Sequence, residues 1–127
     1  MTEGGSMVLQ RVLIFSGGLA GAAGVGLSAA AAHAGGANTG TAASFLLAHA
    51  ALLVAVGLLP WNAVLRIGAL IVLAGLVFFA GNLLMRDFAG TRLFPMAAPS
   101  GGMLMIAGWL VVGVGGLMAT RAERNLP

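Results

Sequence analysis

The stretch 94-FPMAAPSGGMLMIAGW-109 decides how the chain is divided. Two prolines and a Gly-Gly pair interrupt its first half, and an uncharged apolar segment follows from Met103 to Ala119. The hydrocarbon core of a bilayer admits helices of about 20 apolar residues and excludes irregular backbone that faces lipid. The stretch therefore predicts a loop at a membrane surface, followed by a transmembrane helix.

The composition supports the same interpretation for the whole chain of 127 residues, a length typical of one domain. Hydrophobic residues make up 60% and charged residues only 7%, whereas a soluble domain carries about 25% charged residues. A soluble helical bundle needs a polar face on each helix. Here the long segments are apolar all round, so we predict an integral membrane protein.

Working outward from that stretch gives four apolar segments in one all-α domain, an antiparallel up-down bundle. The predicted spans are residues 12–32, 42–59, 67–85 and 101–120. Residues 1–10 are polar and glycine-rich, so we expect them to fray. A cleaved secretory signal is an alternative for the first span, because Arg11 precedes it and Ala32-His33-Ala34 follows. The span is longer than a usual signal core, so we expect it to be retained.

Arginine distribution predicts the orientation. The termini and the second loop carry Arg11, Arg66, Arg121 and Arg124, while the opposite side carries Arg86 and Arg92. The positive-inside rule then places both termini in the cytoplasm, and arginine without lysine in an Ala- and Gly-rich chain suggests a GC-rich bacterial genome. The arginines are scattered rather than clustered, so nucleic acid is not an expected partner.

Glycines repeat at helical spacing in three spans. The first span carries Gly17, Gly21 and Gly24 on one face and Gly18, Ala22 and Gly26 on a second face; the third carries Gly68 and Gly75, and the fourth carries Gly108 and Gly115. Small faces let helix backbones approach closely in lipid. We expect packing inside the bundle, with a homo-oligomer interface as the alternative, and we expect Trp109 to fill space left by the glycines.

Few polar side chains lie within or beside the spans. They are His33, His49, Asn82, Arg86, Asp87 and Ser100. The predicted topology puts them all in the outer half of the bilayer, where they would form a pocket for a lipid headgroup or a quinone, or relay protons through His49. In the alternative interpretation, His49 and Asn82 bond each other or a nearby carbonyl and lock the second span to the third. The two histidines differ in depth, so we do not expect a haem.

No motif indicates catalysis. The chain lacks HExxH, GxSxG and any pair of intramembrane carboxylates. It also lacks cysteine, which excludes a thiolate metal site. We therefore predict a protein that is not an enzyme and holds no metal.

The chain resembles the small membrane proteins of domain-of-unknown-function family 423, which has relatives in bacteria and mitochondria. The resemblance runs from about Gly17 to Met118. It rests on Ala32-His33, His49-Ala50, 78-FFAGNL-83, and 99-PSGG-102 followed by Gly108-Trp109. It implies a four-helix inner-membrane protein and supplies no activity. Phe45-Leu46-Leu47 and Leu84-Met85 stand where the family has more aromatic residues, including a tyrosine.

These observations predict a non-catalytic accessory partner of a larger membrane complex, or a small oligomer. One alternative is a transporter or proton-conducting oligomer that uses His49 and Asn82. Another is a module that binds lipid or quinone. Expected partners are membrane lipid and a protein within the membrane, and no cofactor is expected beyond a bound lipid or quinone.

Overall fold

The architecture is four helices joined by short connections. A computed structural model of the chain describes residues 2–124, with side chains as far as Met118. The helices are α1 (Glu3–Ala34), α2 (Ala37–Leu58), α3 (Ala63–Phe88) and α4 (Ala97–Arg124). By length and composition, all four are able to cross a membrane. The prediction of an all-α, four-helix fold is confirmed.

Helix α1 begins much earlier than the first predicted span, and residues 3–10 are helical rather than frayed. The hydroxyl of Thr2 accepts a hydrogen bond from the backbone N–H of Gly5 over 3.2 Å. Glu3 lies in the first turn, where negative charge is favourable. This cap explains why a glycine-rich start is still helical.

The connection between α1 and α2 is only two residues long, much shorter than the interval between the first two predicted spans, 12–32 and 42–59. Gly35 and Gly36 adopt φ of 78° and 103°, a region that side chains with a Cβ rarely enter. Two such glycines reverse the chain tightly enough for α2 to begin at Ala37. The two helices are therefore antiparallel neighbours.

The connection between α2 and α3 is fixed by Asn62. Pro60 follows the end of α2 and prevents its continuation. The Asn62 side-chain oxygen accepts from Leu65 N at 3.1 Å and so caps α3. Its amide nitrogen donates to the carbonyl of Gly115 at 3.1 Å, which ties the start of α3 to α4.

The stretch with two prolines forms the end of the α3–α4 loop and the start of α4. The loop covers residues 89–96, and Met96 has a φ of 67°. Pro99 lies in the first turn of α4, where a missing N–H costs no helical hydrogen bond. The last predicted span, 101–120, lies within this helix. The side chains of Arg121 and Arg124, used above for orientation, lie outside the described residues.

The bundle is open. Helix α1 packs on α2, α2 on α3 and α3 on α4, and α1 touches α3 only slightly. Among the described residues, the backbone of α4 contacts that of neither α1 nor α2. We call the end with the α1–α2 connection and the α3–α4 loop the distal end, and the opposite one the terminal end.

Glycines bring the helix backbones close together in two of the interfaces. A Cβ added to Gly17 or Gly24 of α1 would lie 2.6 Å from a side-chain atom of α2. In the α3–α4 interface a Cβ at Gly75 would lie 2.6 Å from the carbonyl oxygen of Gly101, and similar clashes arise at Gly68, Gly108 and Gly115. Gly21 is looser, at 3.7 Å from Ala50 Cβ. Close backbone approach thus holds the edge helices α1 and α4 in place.

Candidate functional site

The polar residues singled out in the sequence do not share one pocket. They divide into a hydrogen-bonded pair around the buried His49, a cap around Asp87 and a cavity beside Asn82 and Arg86. His33 and Ser100 are exposed at the distal end, and their side chains make no hydrogen bond within the described part of the chain. The expectation of a single pocket for a headgroup or quinone is therefore not met, because His49 bonds Trp109, Asp87 bonds Thr39, and Asn82 and Arg86 line a separate cavity.

His49 lies deep in the bundle and is only 6% exposed. It is twelve residues from the first residue of α2, which corresponds to roughly 18 Å along the helix. Its Nδ1 lies 2.7 Å from the carbonyl oxygen of Phe45. Its Nε2 accepts a hydrogen bond from Nε1 of Trp109 on α4 over 3.1 Å. His49 thus bonds neither Asn82 nor α3.

These two contacts determine the tautomer of His49. An indole nitrogen only donates and a carbonyl oxygen only accepts. Nε2 of His49 must therefore carry the lone pair, and Nδ1 must carry the proton that Phe45 accepts. The imidazole is neutral in this arrangement, because a proton on Nε2 would leave two N–H donors, one from His49 and one from Trp109, facing each other without an acceptor. A proton relay through His49 would have to break the bond to Trp109.

Trp109 has a different environment from the one the sequence suggested. It does not fill the space beside the glycines, which is occupied by aliphatic side chains and backbone. Instead its ring meets the imidazole of His49 edge-on, with centroids 5.8 Å apart, and 45% of the residue is exposed. The Trp109 side chain therefore connects α4 to α2 by a hydrogen bond.

Asp87 caps the start of α2 from the end of α3. Helix α2 has no side-chain cap of its own, since Gly36 stands at that position. The Asp87 carboxylate accepts from the hydroxyl of Thr39 (2.7 Å), the backbone N–H of Thr39 (2.7 Å) and the side-chain amide of Asn38 (2.9 Å). Asp87 follows the third predicted span, 67–85, and is exposed at its end. The Thr39 hydroxyl first, and then Asn38, hold its pKa below the usual value.

Asn82 holds the loop rather than another helix. Its side-chain oxygen accepts a hydrogen bond from the backbone N–H of Leu93 over 3.0 Å, and the residue is 3% exposed. Asn82 also lines a cavity of about 190 Å³ at the distal end, together with Arg86, Arg92 and the first turn of α4. Among the sequence candidates, Asn82 and Arg86 are the two that share a cavity.

Arg66 was interpreted from the sequence as a surface charge that sets orientation, but it is 3% exposed. Its Nη2 donates to the carbonyl of Leu59 over 3.2 Å, and its guanidinium lies over the ring of Trp61 at 5.3 Å. Nη1 is buried without a partner. Trp61, close before it in the sequence, was the available signal for this contact.

An apolar groove runs between α1 and α3, with α2 as its floor. Its volume is about 380 Å³, and Leu27, Leu46, Leu76 and Leu84 are among its lining residues. Lipid chains fit such a surface, because its lining is apolar except for the hydroxyl of Ser16. Among residues 2–118, no three His, Asp or Glu side chains group as metal ligands do.

Comparison with known proteins gives one match. A family model described as "Protein of unknown function (DUF423)" matches residues 20–102, which is more than half of the chain. No curated protein matches, and no solved structure does. The matched region runs from the middle of α1 to the first turns of α4, and includes His49, Asn82 and the Asp87 cap.

Proposed function

The chain belongs to the DUF423 family of proteins of unknown function, and from that premise we propose that it is a non-catalytic membrane subunit. Its role is to assemble with transmembrane helices of another protein, or of a second copy, through the uncovered face of α1. This surface, which we call the outer face of α1, consists of Gly18, Ala22 and Gly26.

The outer face of α1 is the observation that carries this proposal. A Cβ at Gly18 or Gly26 would meet nothing within 4 Å, whereas one at Gly17 or Gly24 would clash with α2. At 100° per residue, the three small residues lie on the side of α1 opposite its buried residues. Helix α1 therefore has two faces of small residues, and only the one with Gly17 and Gly24 packs against another helix of the fold.

Helix α4, the other edge helix, provides an internal comparison. Its side opposite α3 carries the large exposed residues Met103, Ile106, Leu110, Val114 and Leu117. Large apolar side chains suit contact with lipid tails, while small residues bring helix backbones together and gain packing that lipid does not supply. The outer side of α1 also carries the exposed side chains of Phe15 and Leu19, but it alone of the two edge helices has a row of small residues there, which supports a partner helix on α1.

The proposal is tested by native mass spectrometry of the protein extracted from membranes in mild detergent. Wild type is expected to carry a second copy or another membrane protein. The double variant Gly18→Leu, Gly26→Leu should lose that partner while remaining folded, since both positions are open. Gly113→Leu is the matched control, because that glycine of α4 is equally uncovered. A wild-type protein without partner, or equal loss in the control, contradicts the proposal.

The setting we propose is a bacterial inner membrane, with both termini in the cytoplasm. Four apolar helices support a membrane location, and the arginine distribution supports the orientation. A reporter fused to the C-terminus should be active in the cytoplasm and silent outside it. A reporter that is active only outside the cytoplasm would show the opposite orientation. It would not bear on the proposal for the outer face of α1.

Proton conduction through His49 fits this geometry less well. Both ring nitrogens of His49 are engaged, by Phe45 and by Trp109. Proton flux in liposomes that disappeared in a folded His49→Ala variant would favour conduction over the subunit role.

A further inference from the structure

The distal cavity contains an arrangement of hydrogen-bond donors that the subunit role does not use. Its lining includes Asn82, Arg86, Arg92 and the first residues of α4, with Pro99 at one side. Within residues 2–118, the side chains of both arginines lack hydrogen-bond and ion-pair partners. Two cations thus border one small cavity without an acidic residue in its lining.

Asn82 adds an amide donor to the cavity. A backbone N–H only donates, so the bond from Leu93 N fixes which side-chain atom of Asn82 is oxygen. The amide nitrogen must then point away from Leu93. It has no hydrogen-bond partner in the described part of the chain, although the residue is 97% buried, being 3% exposed. This nitrogen is not among the fully buried unpaired atoms of the described residues, so it keeps accessible surface, as a donor that opens onto the cavity lined by Asn82 does.

The start of α4 adds positive potential to that of Arg86 and Arg92. The N-terminus of a long helix carries partial positive charge and unpaired backbone N–H groups. Of the first residues, Ala97 N donates to Phe94 and Ser100 N to Met96. Pro99 has no N–H, so Ala98 N is the donor that remains for the cavity that Ala98 lines.

The nearest carboxylate makes its hydrogen bonds at the start of α2 and not in this cavity. Asp87 follows Arg86 in the sequence, but its oxygens are bound by Thr39 and Asn38 at the start of α2. Asp87 borders a different cavity, between the α1–α2 connection and the end of α3. After the hydrogen bonds from Thr39 and Asn38, the charge of Arg86 also lowers the pKa of Asp87, but the carboxylate is bound at the start of α2 and does not line the distal cavity.

We propose that the distal cavity binds a phosphate group through the side chains of Asn82, Arg86 and Arg92. Arginine and amide donors suit the several acceptor oxygens of a phosphate, and helix N-termini favour its charge. The cavity lies where α3 leaves the predicted span, so in a membrane we expect it at the level of lipid headgroups. The phosphate belongs either to a phospholipid headgroup or to a soluble phosphate ester. This site is separate from the outer face of α1, so either proposal can fail alone.

The test uses the full chain in maltoside micelles, which contain no phosphate. Short-chain phosphatidylglycerol and inorganic phosphate are titrated separately, and ¹⁵N NMR follows the Asn82 side-chain amide. A saturable shift with the phospholipid alone identifies a lipid site, and a shift with both identifies the phosphate group as sufficient. No shift with either probe, or an equal shift with diacylglycerol, which lacks phosphate, overturns the proposal.

Variants locate the site, with the backbone amide of Ala98 as the reporter. Asn82→Asp keeps the oxygen that holds Leu93 and replaces the donor by a negatively charged oxygen, so affinity should fall at least about tenfold. Arg92→Gln is exposed and not part of the packing, and it should weaken binding by about tenfold even if Asn82→Asp does not fold. Arg11→Gln, at the terminal end, is the control for general charge. Equal weakening by Arg11→Gln and Arg92→Gln overturns the proposal.

Discussion

Nε1 of Trp109 donates a hydrogen bond to Nε2 of His49 over 3.1 Å, although the helices that carry them, α4 and α2, are not backbone neighbours among the described residues. The side chains reach each other across the side of α3. This contact joins an edge helix to the interior of an open bundle, and Phe45 stacks on the imidazole at 5.7 Å to complete it.

The first prediction concerns the tautomer of His49. Because Trp109 donates to Nε2, the proton of the neutral ring must be on Nδ1. ¹⁵N NMR of selectively labelled histidine should show a protonated Nδ1 and an unprotonated Nε2 at neutral pH. His33 is exposed to solvent, so we expect its ring to exchange between both tautomers. It therefore serves as the internal reference. The opposite tautomer, or an imidazolium, contradicts the assigned contact.

The second prediction concerns the strength of the hydrogen bond between Trp109 and His49. Trp109→Phe keeps an aromatic ring and removes the donor, so the free energy of unfolding should fall by about 1 kcal/mol. Reversible unfolding in mixed micelles measures it. Trp61→Phe is the control, because the Trp61 ring lies over Arg66 and its nitrogen has no assigned hydrogen bond. An equal loss in both variants would show that ring size, and not the hydrogen bond, matters.

The third prediction concerns close packing of α3 and α4. A Cβ at Gly108 would lie 2.8 Å from Val72 N and 2.9 Å from Gly68 O, so backbone atoms would have to move. Gly108→Ala should therefore lower the free energy of unfolding by about 3 kcal/mol, the upper part of the range for overpacking. Gly113→Ala adds the same methyl group where nothing lies within 4 Å. It should leave stability unchanged or raise it.

The fourth prediction follows from the Asp87 cap. Three hydrogen bonds, led by that from the Thr39 hydroxyl, lower the pKa of Asp87 below 3.8 in the folded protein. Below pH 3.8 the unfolded chain therefore binds a proton that the folded one does not. The stability from the cap is fully present above this pH and is lost as pH falls toward the folded pKa.

Thermal unfolding at a series of pH values checks the cap. The wild-type Tm should fall on acidification below pH 4, and Asp87→Asn should reduce this fall. Glu3→Gln, which removes an exposed carboxylate at the terminal end, should retain it. An unchanged pH profile in Asp87→Asn would contradict the assigned role.

The helix number was predictable because long uncharged segments and their breaks have one physical explanation in lipid. Helix ends were less predictable, since they depend on particular caps. The Thr2 cap and the positive φ of Gly35 and Gly36 lengthen α1 and α2 beyond their apolar spans. Proline and glycine positions mark where breaks occur, but not how short each connection is.

The candidate site was predictable in its residue types and not in its pairings. His49, Asn82 and Asp87 stand out because polar groups are costly in an apolar chain. Their partners Trp109, Leu93 and Thr39 are 60, 11 and 48 residues away. Two of these separations need the arrangement of helices, which spacing along one helix does not contain. The burial of Arg66 was missed for a different reason, since its contacts with Leu59 and Trp61 are local in sequence.

The measurement that tests the central claim most directly is a cysteine cross-linking scan of α1 in native membranes. The chain has no cysteine of its own, so each adduct reports one introduced position. Cross-linking yield should be highest for Gly18→Cys, Ala22→Cys and Gly26→Cys. It should be low for Ala23→Cys and Leu27→Cys, which line the groove beside α3. A yield that peaks on the groove side, or adducts at none of these positions, would contradict assembly through the outer face of α1.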